Sequence, residues 1–201
     1  MVETRTTLRI GVLAIQGNFA SHAEALGEAG AEAVEVRKPE ELGALDGLVL
    51  PGGESTTMLK FLEKQHFFDA LKDFCGRKPV FGTCAGAILL AREVVHPPQR
   101  SLGLLDAKVE RNAYGRQIDS SILLADSFLP GGPLEMVFIR APRILSVGPA
   151  VEVLARRDGH PVLVRQGSIL AATFHPELSR DRRVHRLFVD GVRATVASQH
   201  G

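Results

Sequence analysis

Residues 79–90 run Pro-Val-Phe-Gly-Thr-Cys-Ala-Gly-Ala-Ile-Leu-Leu, an apolar stretch in which two glycines flank a cysteine. Residues 79–83 have the pattern of a buried strand, and residues from about 85 to 93 have that of a helix. The sequence Gly82-Thr-Cys-Ala-Gly86 between them matches a nucleophile elbow, in which flanking glycines allow close backbone packing around a sharp turn. The stretch therefore predicts an α/β fold with Cys84 as a nucleophile at a strand end. A tight turn around an inert, buried cysteine is the alternative.

The N-terminal half alternates between strand-like and helix-like segments. Residues 8–15 form an apolar run rich in β-branched side chains, typical of a strand buried on both faces. Ser21 and Glu24 have capping-box spacing, and Gly30 marks a helix end. Further strands are expected at 33–36 and 47–50, and helices at 21–29 and at 56–74, the latter as one long helix or two. This alternation predicts a three-layer α/β/α arrangement around a central, mainly parallel sheet.

The C-terminal half is expected to be rich in β-structure. Asp158-Gly159 is a hairpin signal between two short strands, and residues 182–197 have an amphipathic helical pattern. Strands are expected at 104–111, 137–140, 144–147, 151–156, 161–164 and 169–174. No repeat, linker or low-complexity tract interrupts the chain, so residues 1–201 are expected to form a single domain.

Composition excludes several classes of protein. The 24 basic and 23 acidic residues leave a net charge of +1, without the basic stripe of a nucleic-acid-binding protein. No apolar run approaches the roughly 18 residues of a membrane helix, and no secretory signal is evident. Cys75 and Cys84 are too few for a disulfide scaffold and lack metal-ligand spacing. We therefore expect a cytoplasmic protein with free thiols, no metal and no cofactor, in which Cys75 is an ordinary packing residue.

A second catalytic feature follows the last predicted strand, in Phe174-His-Pro-Glu-Leu178. Side chains two residues apart in an extended segment share a side, so His175 and Glu177 are expected to form an imidazole–carboxylate pair. Such a pair supplies the general acid that amide cleavage by a thiolate requires. The alternative is a strand that simply ends at a proline turn. The other histidines are predicted to lie in surface helices or loops without a role: His22, His66, His96, His160, His185 and His200.

The third feature is Pro51-Gly-Gly-Glu-Ser-Thr-Thr57, between a predicted strand and a predicted helix. Backbone N–H groups of such a turn can bind an anion, which suits an oxyanion donor that complements the N–H of Ala85. The spacing matches neither a P-loop nor a dinucleotide-binding loop, and a plain turn is the alternative.

Together these three features resemble the class I, or triad, glutamine amidotransferases. Four longer blocks are similar to the glutaminase subunit of pyridoxal 5′-phosphate synthase, and they extend the resemblance over most of the chain. The blocks are Gly11-Val-Leu-Ala-Ile-Gln-Gly17, Pro51-Gly-Gly-Glu-Ser-Thr-Thr57, Arg111-Asn-Ala-Tyr-Gly-Arg-Gln117 and Phe138-Ile-Arg-Ala-Pro142. The third block is the most discriminating, because other amidotransferases share the elbow and the His-x-Glu pair but not this sequence.

The resemblance implies a role for each motif residue. Cys84 would be the nucleophile, His175 the general acid and base, and Glu177 its orienting partner. Gly53 and Ala85 would supply the oxyanion-binding N–H groups. Glutamine would be bound by Gly52, Gly53, Glu54, Arg111, Ile139 and Arg140.

The resemblance also implies a partner, a separate (β/α)₈-barrel synthase subunit in a large hetero-oligomer that receives the ammonia. Gln16-Gly17-Asn18, on the first strand–helix loop, is a candidate contact that signals docking; a plain polar loop is the alternative. Competing interpretations are a glutaminase that serves imidazole glycerol phosphate synthesis, a cysteine redox sensor or chaperone without catalysis, and an ester or peptide hydrolase.

Overall fold

The structure, a computed structural model, describes residues 7–15, 19–64, 66–111, 113 and 121–199. Its strands are β1 (Leu8–Leu13), β2 (Ala31–Val36), β3 (Gly47–Leu50), β4 (Val80–Thr83), β5 (Ala91–Val95), β6 (Leu105–Glu110), β7 (Ser121–Ala125), β8 (Leu134–Phe138), β9 (Arg143–Val147), β10 (Glu152–Arg157), β11 (His160–Gln166) and β12 (Ile169–Ala172). Its α-helices are α1 (Phe19–Glu28), α2 (Ser55–Lys64), α3 (Phe67–Cys75), α4 (Ala85–Leu90) and α5 (Arg183–Gln199), and 3₁₀ helices cover Pro39–Ala44 and Pro176–Leu178.

A seven-stranded sheet with the order β10-β11-β12-β4-β3-β1-β2 forms the centre of the molecule. The five strands from β12 to β2 are parallel, whereas β11 runs antiparallel to both of its neighbours. A three-stranded sheet, β5-β6-β9, and a two-stranded sheet, β7-β8, lie outside it. The central, mainly parallel sheet and the β-rich second half confirm the predicted fold class.

Helices cover both faces of the central sheet because side chains alternate along buried strands. In β4, Val80 belongs to the hydrophobic cluster beneath α2, α3 and α4, whereas Phe81 belongs to the cluster beneath α1 and α5. The same alternation separates Leu48 from Val49 in β3. The three layers predicted from the sequence are therefore present. None of the helices within the described ranges is both long and apolar enough to cross a membrane.

Some boundaries differ from the sequence-based expectations. The helix after the elbow ends at Leu90 instead of continuing to residue 93, because Ala91–Val95 forms β5 and pairs with β6. Helix α1 already begins at Phe19, so Ser21 lies inside it and is not its N-cap. Strand β7 was not predicted. The hairpin at Asp158-Gly159 is confirmed, with φ values of 50° and 80°, as a type I′ turn requires.

The β4–α4 connection is packed too closely for side chains at its two glycines. A Cβ atom on Gly86 would lie 1.9 Å from the carbonyl oxygen of Leu50, and one on Gly82 would lie 2.7 Å from the carbonyl group of Gly86. Both obstacles are backbone atoms, which cannot rotate away. The elbow therefore requires glycine at both positions, as the sequence pattern predicted.

We predict that Gly86→Ala destabilises the fold by about 3 kcal/mol or more, because α4 must move away from β3. Thermal unfolding should show a fall in Tm of roughly 10 °C. Gly27→Ala is the matched control, since a Cβ atom at this position of α1 meets nothing within 4 Å. An unchanged Tm for Gly86→Ala would contradict the packing described for the elbow.

Candidate active site

Cys84 lies at the carboxyl end of β4, immediately before α4. Its backbone has φ 48° and ψ −103°, a conformation that side chains rarely adopt and that marks a strained turn. The Cys84 N–H donates to the carbonyl oxygen of Ala172, 2.9 Å away, and so connects the elbow to the neighbouring strand β12. The Cys84 residue is 6% exposed, so only a small part of its surface is open to solvent.

His175 follows β12 and pairs with Glu177. His175 Nδ1 and Glu177 Oε1 are 2.7 Å apart, and both residues are buried. The pair was predicted for the wrong reason, because the segment is not extended: a 3₁₀ helix begins at Pro176. The tight turn, rather than strand alternation, brings the carboxylate next to the imidazole. The N–H of His175 also donates to the carbonyl oxygen of Val137 at 2.8 Å, which holds the residue against the end of β8.

The surroundings of His175 favour its protonated form. Burial acts to lower the pKa of His175, but hydrogen bonds to the Cys84 side chain and to Glu177 outweigh it and raise the pKa to about 10. The charges of the same two partners act in the same direction. At neutral pH the site therefore contains an imidazolium between the Cys84 sulfur and a carboxylate, an arrangement suited to attack on an amide followed by protonation of its nitrogen.

The Pro51-Gly-Gly turn contacts this pair directly. A Cβ atom on Gly52 would lie 2.5 Å from His175 Cε1 and 3.5 Å from Cys84 Cβ, so the backbone of Gly52 packs against both side chains. Gly53 has φ 141°, in a region that favours glycine. Ala85 is the first residue of α4, where an N–H group has no carbonyl partner within the helix. The Pro51-Gly-Gly turn, although distant from Cys84 in the sequence, thus packs against it. The start of α4 follows Cys84 directly.

Glu54 and Arg111 come together at the start of α2. The Glu54 carboxylate accepts hydrogen bonds from the N–H groups of Thr56 and Thr57, at 3.0 and 2.7 Å, and so caps the helix. Its slight burial acts to raise the pKa of Glu54, but these bonds and those from the Thr57 and Thr56 hydroxyls lower it to about 2. Arg111 Nη2 donates to Thr56 Oγ1 at 2.7 Å and lies 3.6 Å from Glu54 Oε1. An anion and a cation therefore occupy one end of the site.

Ile139 and Arg140 directly follow β8, whose Val137 carbonyl accepts the N–H of His175. Both residues are exposed, and Arg140 has φ 46°, in the left-handed region. Ile139 therefore lies two residues after the carbonyl group that binds the N–H of His175. The predicted docking loop, Gln16-Gly17-Asn18, lies outside the described residues, as do residues 112 and 114–117 of the Arg111 block.

The sequence-based placement of His22 and His185 on the surface is wrong, because both are fully buried in the layer of α1 and α5. Helical spacing could have indicated this: His22 shares a face with Ala25 and Leu26, three and four residues on, and both are buried. Cys75 is buried at the end of α3, where burial raises the pKa of its thiol to about 12. This environment fits the packing role predicted for Cys75. Within the described parts of the chain, no group of three or more His, Cys, Asp or Glu side chains could hold a metal ion.

A cysteine on a strand–helix elbow, beside a histidine–glutamate pair that follows the adjacent parallel strand, defines the class of triad glutamine amidotransferases. The chain belongs to the SNO glutamine amidotransferase family, whose model matches residues 12–194.

Individual relatives agree with this assignment. The chain is 61% identical over 186 residues to the pyridoxal 5′-phosphate synthase subunit PdxT of Koribacter versatilis, which covers 92% of this chain and 96% of the relative. It is 48% identical over 188 residues to the protein of the same name from Thermotoga maritima, covering 92% and 100% of the two chains. A crystal structure of a glutamine amidotransferase superposes with a TM-score of 0.84 at 49% identity, covering 92% of this chain and 98% of the other. The structure of PurLQS from Thermotoga maritima, at 16% identity and a TM-score of 0.64, shares the fold alone; it covers 97% of this chain and 100% of that one.

We predict that Glu177→Gln lowers glutaminase activity roughly 10²- to 10⁴-fold, because the histidine loses its charged partner. Since Glu177 helps to raise the pKa of His175, its removal lowers this pKa, and the imidazolium is lost at a lower pH. The alkaline limb of kcat/KM for glutamate release should therefore move to lower pH. Glu40→Gln, at an exposed position, is the control. An alkaline limb that stays in place would contradict this role for Glu177.

Proposed function

We propose that this chain, acting over residues 1–201 as a single glutaminase domain, hydrolyses glutamine and passes the ammonia to a synthase subunit that makes pyridoxal 5′-phosphate. The observation that carries the proposal is the arrangement of Cys84, His175 and Glu177 at the ends of two adjacent parallel strands. Relatives named as subunits of pyridoxal 5′-phosphate synthase, matched over about nine-tenths of the chain, support the choice of pathway.

In the first half of the reaction, the Cys84 thiolate attacks the side-chain carbonyl carbon of glutamine. The N–H groups of Ala85 and Gly53 hydrogen-bond the oxyanion that forms, which lowers the barrier to attack. The His175 imidazolium gives its Nε2 proton to the amide nitrogen. The carbon–nitrogen bond then breaks, ammonia leaves, and a glutamyl thioester remains on Cys84.

In the second half, neutral His175 takes a proton from a water molecule as that water attacks the thioester. The tetrahedral intermediate collapses, the carbon–sulfur bond breaks, and glutamate is released. Cys84 leaves as the thiolate and His175 keeps the proton, so the ion pair of the starting state is restored. Glu177 stabilises the imidazolium of the starting state because its carboxylate bonds to Nδ1.

The charges of free glutamine suit the remaining site residues. The α-carboxylate requires a cation, and Arg111 and Arg140 are the candidates; the α-ammonium requires a carboxylate or carbonyl groups, for which Glu54 and the backbone near Ile139 are suited. Gly52 and Gly53 leave room for the side-chain amide to approach Cys84. Arg111 already contacts Thr56 and lies beside Glu54, so the two charges lie close enough to bind one amino acid head group.

The chemistry of the product supports a separate partner. Near neutral pH ammonia is mostly protonated, and ammonium has no lone pair with which to attack a carbonyl. Direct transfer to a synthase avoids this loss. We therefore propose docking to a (β/α)₈-barrel synthase subunit in a large hetero-oligomer, with Gln16-Gly17-Asn18 as a candidate contact, and a cytoplasmic location where free thiols persist. The imidazole glycerol phosphate alternative is disfavoured by the names of the relatives, and the redox-sensor alternative by the buried histidine–glutamate pair.

We expect glutamate release from glutamine to be stimulated by the synthase subunit from the same source and abolished in Cys84→Ala, with glutamine binding still measurable by calorimetry. Cys75→Ala is the control, because its thiol lies at the end of α3 and should be dispensable for turnover. Appreciable turnover by the Cys84→Ala protein would show that another group is the nucleophile. Activity without stimulation would indicate that the protein supplies ammonia to a different synthase.

We also expect Arg111→Ala to raise KM for glutamine about tenfold or more, since a charged hydrogen bond to the substrate contributes roughly 1.5–3 kcal/mol. The kcat value measured in the same steady-state assay should change less, because the reacting atoms are untouched. Arg77→Ala, at an exposed helix end where the arginine pairs with Asp73, is the matched control. A KM equal to that of the control would show that Arg111 does not bind glutamine.

A further inference from the structure

Two buried histidines continue the catalytic triad into the interior of the protein. His22 on α1 and His185 on α5 are both 0% exposed. His22 Nε2 lies 3.5 Å from Glu177 Oε2, the carboxylate oxygen that does not face His175. On its other side, His22 Nδ1 lies 3.1 Å from His185 Nε2. Buried imidazoles are costly unless their polar atoms are matched, so the arrangement calls for an explanation beyond packing.

Both histidines are neutral at physiological pH. Burial lowers the pKa of His22 to about 4, even though the charge of Glu177 acts to raise it and that of His175 to lower it. Burial and the neighbouring His22 lower the pKa of His185 to about 3, with Glu177 opposing and Arg182 adding to the decrease. A neutral imidazole carries one N–H donor and one bare nitrogen, so the positions of the two protons define what the pair can do.

The contacts distinguish two proton arrangements. If His22 carries its proton on Nε2, the N–H points toward the Glu177 carboxylate, and His185 Nε2–H donates to the bare Nδ1 of His22. If His22 carries its proton on Nδ1, a bare nitrogen faces the carboxylate. His185 must then hold its own proton on Nδ1, an atom without a hydrogen-bond partner among the residues that the structure describes. In the first arrangement each ring N–H faces an acceptor: His22 Nε2–H faces Thr83 Oγ1 at 3.4 Å and Glu177 Oε2 at 3.5 Å, and His185 Nε2–H faces His22 Nδ1 at 3.1 Å. The second arrangement leaves a buried N–H unpaired and turns a lone pair toward a carboxylate.

Neighbouring side chains hold the two rings in these orientations. Thr83 precedes Cys84, and its Oγ1 atom lies 3.4 Å from His22 Nε2. This hydroxyl oxygen can therefore also accept the proton that His22 carries on Nε2. The ring of Phe81, on the same strand, packs edge-on against both imidazoles, with centroids 6.5 Å from His22 and 5.7 Å from His185. Two side chains of β4 thus pack against the two rings.

We propose that His22 is a positioning residue for glutamine hydrolysis: its Nε2–H donates to Glu177 Oε2, and the Nε2–H of His185 keeps His22 in this tautomer. The carboxylate is then bound from both sides and presents Oε1 to His175 Nδ1. This role deepens the proposed glutaminase function and rests on it, but the proton positions themselves can be measured without any turnover.

The proton positions are tested first by NMR on full-length protein labelled with ¹⁵N at histidine. Long-range ¹H–¹⁵N correlations at neutral pH distinguish the two tautomers of each ring, and signals are assigned by their loss in His22→Gln and His185→Gln. We expect both His22 and His185 as Nε2–H tautomers. A His22 ring protonated at Nδ1, or a charged one, would overturn the proposal whether or not the protein is a glutaminase.

The effect on turnover is tested with His22→Leu and His22→Gln in the complex with the synthase subunit. Leucine fills the space without a donor and should lower kcat roughly ten- to hundredfold, the loss typical when a partner that orients a reactive group is removed. The KM for glutamine should stay within about twofold, because no substrate contact changes. Glutamine places an amide N–H₂ near the position of Nε2 and should restore kcat to within a fewfold of the unmodified protein.

Leu26→Ala is the matched control, because Leu26 lies one turn further along the same buried face of α1. It should lower thermal stability while leaving kcat unchanged. A kcat loss in Leu26→Ala as large as in His22→Leu would show that His22 acts only through packing. Equal losses in His22→Leu and His22→Gln would show the same. If His22→Leu fails to fold, the His22→Gln kinetics and the tautomer measurement decide the question.

Discussion

The contact between Gly86 and the carbonyl oxygen of Leu50 is the constraint on which the site depends. Because no side chain fits between them, the first turn of α4 lies directly on the end of β3. Cys84 must then join β4 to α4 in a conformation that few residues adopt. The chain that leaves Leu50 continues into Gly52, whose backbone packs against His175 and Cys84. One close approach of backbone to backbone thus brings together Cys84, His175 and Gly52, which belong to the proposed nucleophile, base and oxyanion-binding turn.

The buried Glu177 carboxylate depends on the polar groups that surround it. An ionised carboxylate buried as deeply as Glu177 is stable only where hydrogen-bond donors and positive charge surround it. His175 supplies both on one side, and the raised pKa of that histidine is the reciprocal effect. The neutral imidazoles of His22 and His185 lie on the other side, toward the layer of α1 and α5. These four polar side chains, His175, Glu177, His22 and His185, extend from the edge of the sheet into the hydrophobic interior. Water does not compete for their hydrogen bonds there.

Much of the fold and the core of the site could be predicted from the sequence, because both depend on local patterns. The buried strands β1, β3, β4 and β12 are short apolar runs, and the elbow is a contiguous pentapeptide. Strands β5 and β7 were missed for two reasons: β5 follows a helix without a break and is stabilised by pairing with β6, and β7 exposes Ile122 and Leu124. Helical spacing indicates that His22 faces the core, but its contact with Glu177 joins residues more than 150 positions apart, which no local pattern encodes.

Helix α4 passes into β5 without a single intervening residue, and this direct junction has a mechanical consequence. A helix of six residues is only about 9 Å long and acts as a stiff strut between the central sheet and the small sheet. Arg111 follows the neighbouring strand β6 and is tied to β5 through a hydrogen bond to Val95. The small sheet therefore connects the elbow that carries Cys84 to Arg111, the residue that we propose binds the charged end of glutamine.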